Sequence, residues 1–211
     1  MFRNRTDAGK LLSQLLSHYK NRKNTIVLAI PRGGVVVGYE VAKALKLPLD
    51  IIVIRKIGFP GNEELALGAA GLKEYYLNPD LAASPEVSKA YIQEQVRLKQ
   101  QQVKQRYTLL RGKRKMSSVK NKTVILVDDG LATGATALMA VRILRKQKPQ
   151  KIIVAVPVAP PQTVQELKKV VKEVVCLEEP VDFMAIGEFY DDFTPVEDEV
   201  VKRLLNKAWK T

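Results

Sequence analysis

The sequence has little of several residue types on which other protein classes depend. Its 211 residues include one cysteine, one histidine and one tryptophan, and only 6% are aromatic. The single Cys176 cannot form an internal disulfide, and in its apolar run we expect it to behave as a small hydrophobic residue. His18 has no cysteine or aspartate nearby, so we interpret it as a solvated surface residue rather than a metal ligand.

Long apolar runs are also absent. No run approaches the roughly 20 residues of a membrane-spanning helix, and the first residues lack the apolar region of a secretory signal. We therefore expect a cytoplasmic protein with no membrane partner. The length is enough for one good hydrophobic core, so we predict a single domain over residues 1–211.

Positive charge is abundant, with 35 lysines and arginines against 22 acids and a net charge of +13. Such a balance suits nucleic acid, anionic lipid or a highly charged small molecule as partner. Residues 97–122, the basic stretch, contain ten lysines and arginines and no acid. The stretch is either an RNA-binding arm or the solvated face and tail of a helix. We favour the solvated helix, because only Tyr107 there could stack on a base.

Strand and helix patterns alternate along the chain. Apolar runs predict strands at 25–30, 50–54, 123–127, 151–156 and 173–177, a short hairpin at 66–71 and 75–77, and helices at 5–19, 35–45, 84–112, 160–171 and 194–209. We expect the last of these helices to open with a capping box at 194–197. This alternation predicts a doubly wound, mainly parallel α/β sheet with helices on both faces.

One segment combines these elements with an unusual polar pattern. A buried-type strand at 123–127 is followed at once by Asp128 and Asp129, then by a loop of small and hydroxyl residues containing Gly130 and Gly134, and then by a helical pattern. Open α/β sheets bind ligands at the carboxyl ends of their strands. Backbone N–H groups in such a loop, with the helix N-terminus, can bind an anion. A helix cap would need only one acid.

The loop matches neither of the two common phosphate motifs. A P-loop has lysine where this chain has Ala135, and a dinucleotide fingerprint has no acid pair before the loop. The order of apolar strand, two acids and Thr133-Gly134-Ala135-Thr136 instead resembles the signature of the type I phosphoribosyltransferases. That resemblance implies the fold of that family, with a core at about 24–178 and a small hood from 1–20 and 179–211.

The resemblance also implies roles for this segment. Asp128 and Asp129 would hold the ribose hydroxyls of phosphoribosyl pyrophosphate, and the loop would hold its 5-phosphate. Ionised carboxylates suit the two donors of a diol. Purine-salvage members carry a third aspartate where this chain has Ala132, so that position cannot transfer a proton here. The expected substrate-binding residues of the loop are Gly130, Leu131, Ala132, Thr133, Gly134, Ala135 and Thr136.

A second glycine-containing turn follows the strand at 25–30. Its residues Arg32, Gly33 and Gly34 look like the pyrophosphate loop of the same family, in which a cis non-proline peptide is common. The corresponding bond here enters Arg32. Glycines let backbone approach a ligand, and arginine supplies a fixed charge. The alternative is a plain strand-to-helix turn, and the presence of the acid-pair segment favours the functional interpretation.

Two cations precede a stretch rich in turn residues. The family closes a flexible loop over its substrate at this point of the chain, and by resemblance Arg55 and Lys56 at the loop's base meet the pyrophosphate. We predict that residues 57–64 form a mobile loop, and we place Lys56 with Asp128 and Asp129 among the catalytic residues. The alternative is that both cations are solvated surface charges.

Aromatic residues are concentrated in the segment 180–193. Phe183, Gly187 and Asp191 echo the spacing of the base-binding hood of hypoxanthine-type enzymes, with one extra residue before the glycine. By this resemblance Phe183 or Tyr190 would stack on an acceptor base, and Asp191 would lie near a pyrophosphate-bound Mg²⁺. An ordinary hydrophobic cluster at the C-terminal end is an equally good interpretation.

The resemblance implies transfer of a phosphoribosyl group to a nitrogen acceptor, a nucleobase or an amine, with Mg²⁺ as cofactor and a homodimer as the common assembly. Two other hypotheses remain: a regulator that binds the sugar phosphate without turnover, and an RNA-binding protein that uses the basic stretch. The sequence does not identify the acceptor.

Overall fold

A computed structural model describes residues 1–210. Its strands are β1 (Thr25–Ala29), β2 (Leu49–Ile51), β3 (Arg55–Phe59), β4 (Asn62–Ala70), β5 (Tyr75–Leu77), β6 (Thr123–Val127), β7 (Lys151–Val158) and β8 (Glu173–Glu178). Its helices are α1 (Arg5–Leu15), α2 (Gly33–Leu45), α3 (Pro79–Ala82), α4 (Lys89–Arg111), α5 (Ala135–Lys146), α6 (Pro161–Lys168) and α7 (Asp198–Ala208). None of the helices in this described part of the chain is long and apolar enough to cross a membrane.

Five parallel strands form the central sheet in the order β2-β1-β6-β7-β8. One face packs against α1, α2, α4 and α7, and the other against α5 and α6. The predicted doubly wound α/β architecture is therefore confirmed. Ala29 of β1 pairs with Val127 of β6, so the loops that follow these two strands start side by side at one edge of the sheet.

The segment predicted as a mobile loop is instead a β-hairpin. β3 and β4 pair antiparallel across residues 55–70, and β5 adds a third strand to form a separate small sheet rather than extending the main one. Ile57 and Leu67 are fully buried against apolar residues of α4. The turn residues occupy only the tip, where Gly61 has a φ of +72°. The hairpin predicted at 66–71 and 75–77 is confirmed by the antiparallel pairing of β4 with β5. The prediction was wrong for β3 and the first half of β4, whose apolar residues are few.

Two helix starts also differ from prediction. α4 begins at Lys89 rather than near residue 84, with the Ser88 side chain accepting a hydrogen bond from the Tyr91 N–H, and it ends at Gly112 as predicted. α7 begins at Asp198 without the predicted capping box. The Thr194 hydroxyl instead donates a hydrogen bond to the Asp192 carboxylate at 2.5 Å, so it does not cap the helix.

The basic stretch is partly used inside the protein. Arg106 forms a two-bond ion pair with Asp198, and Arg111 lies 2.7 Å from Asp50 with both side chains almost fully buried. These contacts fasten α4 to α7 and to β2. They favour the interpretation of this helix as a structural element, although lysines near its end remain exposed.

We predict that Arg111→Met destabilises the protein. Asp50 would keep hydrogen bonds from the Ile51 and Ser117 N–H groups but lose the only cation paired with it among the described residues. Breaking a buried pair from one side costs about 3 kcal/mol or more. The measurement is urea unfolding, with Lys113→Met on the exposed end of the stretch as the control, expected within about 0.5 kcal/mol of the parent. Equal stability of the two variants would contradict the assignment.

Candidate active site

The acid pair lies at the carboxyl end of β6. The Asp129 N–H donates to Asp128 Oδ1 at 2.9 Å, so the first carboxylate folds back over the start of the loop. Asp129 Oδ2 accepts from Arg5 Nε at 2.6 Å, and the side chains of this ion pair are only 14% and 10% exposed. The two carboxylates are therefore adjacent, and Asp129 is the one that is paired with a cation, Arg5.

Arg5 is a site residue that the sequence analysis missed. It lies in the first turn of α1, and its Nη1 also donates to the Thr194 carbonyl at 2.9 Å. Its guanidinium carbon is 3.8 Å from the centre of the Phe193 ring. Arg5 therefore links the acid pair to both chain ends. No local pattern could have identified it, because its partner is 124 residues away.

The two glycines of the turn after β1 contact the acid pair itself. A Cβ on Gly33 would lie 1.8 Å from Asp129 Oδ2, and a Cβ on Gly34 would lie 2.8 Å from Asp128 Oδ1. Any side chain at these positions would displace the carboxylates. The peptide bond between Pro31 and Arg32 is cis, which confirms that expectation. The glycine pair is explained by the close approach of the two loops, in addition to any ligand.

Burial and charge act together on the ionisation of this site. Burial raises the pKa of Asp128 well above its usual range, and the neighbouring charge of Asp129 raises it further. Burial also raises the pKa of Tyr190, whose hydroxyl donates to the Asp129 carbonyl at 2.5 Å. The Tyr190 ring packs beside Phe2 and Phe193, and this packing holds the Tyr190 hydroxyl against the backbone of Asp129.

The loop after the acids is anchored on one side and open on the other. Gly134 adopts a φ of +70° immediately before α5, and the Thr163 hydroxyl donates to the Ala132 carbonyl at 2.7 Å. Leu131 and Gly134 are buried, whereas Ala132, Thr133, Ala135 and Thr136 are exposed. Because the first N–H groups of a helix have no intrahelical partner, the open side can bind an anion.

A cavity of about 250 Å³ joins three of the predicted segments. Its lining includes Pro31, Arg55, Lys56, Arg106, Ala135 and Thr136. It therefore lies between the turn after β1, the base of the hairpin and the start of α5. Lys56 Nζ is 3.1 Å from Glu64 Oε2 across the hairpin. Arg55 and Lys56 are the two cations predicted from the sequence for this site, and Arg106 is an additional one.

The aromatic segment near the C-terminus covers the other end of the site. Phe183 stacks on Phe189 with ring centres 5.4 Å apart. A Cβ on Gly130 would lie 2.5 Å from Ile186 Cγ2, so this segment rests directly on the start of the loop. Asp191 is exposed, and its N–H donates to the Phe2 carbonyl at 2.9 Å. Neither Phe183 nor Asp191 lines the cavity.

The carboxylates present fit a magnesium ion that the substrate carries. Within residues 1–210 there is no group of three or more histidines, cysteines or acids that could form a protein-only metal site. Asp129 is already paired with Arg5, which leaves few free oxygens. Magnesium commonly keeps several waters and binds through one or two carboxylates together with substrate phosphates.

The parallel sheet and the loops at its carboxyl edge define a protein of the type I phosphoribosyltransferase fold. Residues 4–193 match the model of the phosphoribosyl transferase domain family. The chain belongs to this family.

The chain is similar to several known proteins. A Mycobacterium tuberculosis protein that is provisionally named a phosphoribosyl transferase is 37% identical over 209 residues, covering 99% of this chain and 47% of that protein. The chain therefore spans about half the length of these curated relatives. The crystal structure of the protein TT1426 from Thermus thermophilus is 39% identical with a TM-score of 0.86, covering 98% of each chain. A purine phosphoribosyltransferase from Pyrococcus horikoshii is 17% identical with a TM-score of 0.49, covering 92% and 93%.

We predict that Asp128→Asn stabilises the protein in the absence of ligand. A raised pKa means that the folded state binds the proton more tightly than the unfolded state, so the ionised acid costs stability above that pKa, about 1.4 kcal/mol for each unit of elevation. Asparagine removes this cost and keeps an oxygen that accepts the Asp129 N–H. Thermal unfolding should show a higher Tm at pH 8, with the difference shrinking as pH falls. A variant equal to or below the parent at pH 8 would contradict the stated charge repulsion.

Proposed function

We propose that the protein is a phosphoribosyltransferase that moves the 5-phosphoribosyl group of phosphoribosyl pyrophosphate to a nitrogen acceptor, a nucleobase or a small amine. The observation that carries the proposal is the meeting of three segments at one edge of the sheet: the acid pair, the glycine turn packed against it, and the cation-lined cavity that reaches the start of α5. Such an arrangement suits a sugar with phosphate groups at both ends.

In this proposal each segment holds one part of the substrate. Asp128 and Asp129 accept hydrogen bonds from the ribose hydroxyls, and the loop 130–136 binds the 5-phosphate through backbone N–H groups and the hydroxyls of Thr133 and Thr136. Arg32, Arg55 and Lys56, with the backbone of the glycine turn, bind the pyrophosphate. Magnesium, which this family generally uses, would neutralise part of the pyrophosphate charge when bound.

The reaction forms a bond between the acceptor nitrogen and the anomeric carbon and breaks the bond from that carbon to the pyrophosphate oxygen. Pyrophosphate leaves with the bonding electron pair, and the proton of the acceptor nitrogen passes to solvent. Positive charge develops on the sugar while negative charge develops on the leaving group. The carboxylates stabilise the first and the cations the second, so catalysis is mainly positioning and electrostatics. No side chain at position 132 takes a proton from the acceptor, because that residue is alanine.

The aromatic segment is the proposed acceptor site. Phe183 is the better stacking residue, because it is partly exposed, whereas Tyr190 is 5% exposed and packed between two phenylalanines. Tyr190 acts instead through its hydrogen bond to the Asp129 carbonyl. Asp191 is exposed and is retained as a residue that approaches the magnesium from the hood.

A binding protein without turnover is the second candidate. It is favoured by the alanine at position 132, since no side chain there can move a proton during turnover. The cytoplasmic location and the homodimer remain predictions, and sedimentation tests the latter.

Asp128→Asn combined with Asp129→Asn is predicted to reduce pyrophosphate release at least about 100-fold, because two charge-assisted hydrogen bonds to the ribose are weakened. The measurement is magnesium-dependent release of pyrophosphate from phosphoribosyl pyrophosphate with a panel of purines, pyrimidines and amines. Asp80→Asn on the exposed part of α3 is the control and should match the parent. Tight binding of the sugar phosphate without turnover on any acceptor would support the second candidate. Unchanged release in the double variant would refute the assignment of the acids.

Phe183→Ala is predicted to raise KM for the acceptor about tenfold, with a much smaller change in KM for the sugar phosphate, because one stacking contact is worth about 1–3 kcal/mol. Val181→Ala, two residues away and 86% exposed, is the matched control. Equal effects of the two variants on acceptor KM would remove Phe183 from the acceptor site.

A further inference from the structure

Arg106 is a cation of the cavity that no sequence motif predicted. It lies on α4, outside the acid pair, the glycine turn, the loop 130–136 and the hairpin, yet it lines the same cavity as Pro31, Arg55 and Lys56. Its side chain is only 20% exposed, which is unusual for an arginine with a role in solvation alone.

Arg106 is paired with the Asp198 carboxylate through two parallel hydrogen bonds, a geometry that arginine also uses to bind phosphate. Arg106 Nη1 and Nη2 each donate to one oxygen of Asp198 at 2.5 Å. This two-bond fork is shared by carboxylate and phosphate ligands of arginine. A phosphate group could therefore replace Asp198 on Arg106 with the same set of donors.

The same carboxylate also lies next to the glycine turn. Asp198 Oδ1 is 4.0 Å from Arg32 Nη1, and Glu197 Oε2 is 3.9 Å from that nitrogen. These separations are at the long limit of an ion pair, and the Arg32 side chain is 45% exposed. Arg32 is thus loosely held and free to turn toward a ligand. The Asp198 carboxylate therefore lies between Arg32 and Arg106, and the second of these arginines lines the cavity.

Charge balance favours exchange of this carboxylate for a more highly charged group. Arg55, Lys56 and Arg106 line the cavity, and Asp198 is the carboxylate that Arg106 shares with Arg32 of the adjacent glycine turn. The two arginines lower the pKa of Asp198, with Arg106 the largest cause, so it is ionised at neutral pH. Asp198 stands in the first turn of α7, where the helix dipole stabilises a negative charge even without an arginine partner.

We propose that Arg106 is a further pyrophosphate-binding residue and that Asp198 is its exchangeable counter-ion. In the free protein Asp198 holds Arg106 and Arg32 near the cavity, and it releases them to the pyrophosphate group when substrate binds. This inference deepens the proposed function and rests on it. One consequence is that occupancy of the site loosens the contact between α4 and α7.

The test is calorimetric titration of the full chain with two probes, inorganic pyrophosphate with Mg²⁺ and ribose 5-phosphate. Arg106→Ala should weaken pyrophosphate binding about tenfold or more, the worth of a charge-assisted pair, and leave ribose 5-phosphate within about twofold. Asp198→Asn should strengthen pyrophosphate binding about threefold or more, because the arginines are released, while its Tm falls through loss of the ion pair. Arg97→Ala, on the exposed face of the same helix, is the control and should change neither affinity.

A purely structural role predicts a different set of results. Arg106→Ala and Asp198→Asn would then both lower Tm and would either leave both affinities unchanged or reduce both together, and either pattern overturns the proposal. Arg106→Lys, which keeps the charge and loses the fork, gives a second readout if the alanine variant fails to fold, and pyrophosphate binding equal to the parent would likewise overturn it. A parent protein that binds neither probe refutes the proposed function itself.

Discussion

The repulsion between two adjacent, partly buried carboxylates is the constraint around which this site is built. Asp128 and Asp129 directly follow β6, whose last four residues are buried, so the two acids are held side by side at the edge of the sheet. Arg5 offsets one charge, the Tyr190 hydroxyl binds the Asp129 carbonyl, and the glycine turn leaves room for both acids. The close approach of the two acids therefore costs the free protein stability, and a bound diol with magnesium could reduce that cost. Functional sites often lower the stability of a protein in this way.

Positive side chains from different parts of the chain are gathered around the cavity. Its cations come from the base of the hairpin and the middle of α4, and Arg32 of the turn after β1 lies near the carboxylate that pairs with the α4 arginine. Only part of this charge is balanced internally, by carboxylates at the start of α7 and at the hairpin. The net charge of +13 is therefore located partly around this cavity and partly at the exposed end of α4.

The architecture was predictable because it depends on local pattern. Buried β-branched runs and helical periodicity gave the five parallel strands and the helices between them, with ends in error by a few residues. The pairing of β3 with β4 was not predictable, because β3 and the first half of β4 carry few apolar residues and β3 is held by packing on α4. Within the site, the acids and glycines were recognisable from their spacing. The separate role of Tyr190 was not, because its burial depends on Phe2 and Phe193.

Two acids and a small-residue loop follow a buried strand, and this arrangement could be read from the sequence because the residues are neighbours along the chain. The same holds for the glycine pair that follows another such strand. Which charged side chains meet depends instead on the packing of distant elements. Arg5 reaches Asp129 across 124 positions, and Arg106 reaches Asp198 across 92. Contacts of this kind follow from how helices pack on the sheet, and a single sequence carries no local signal of which distant side chains that packing brings together.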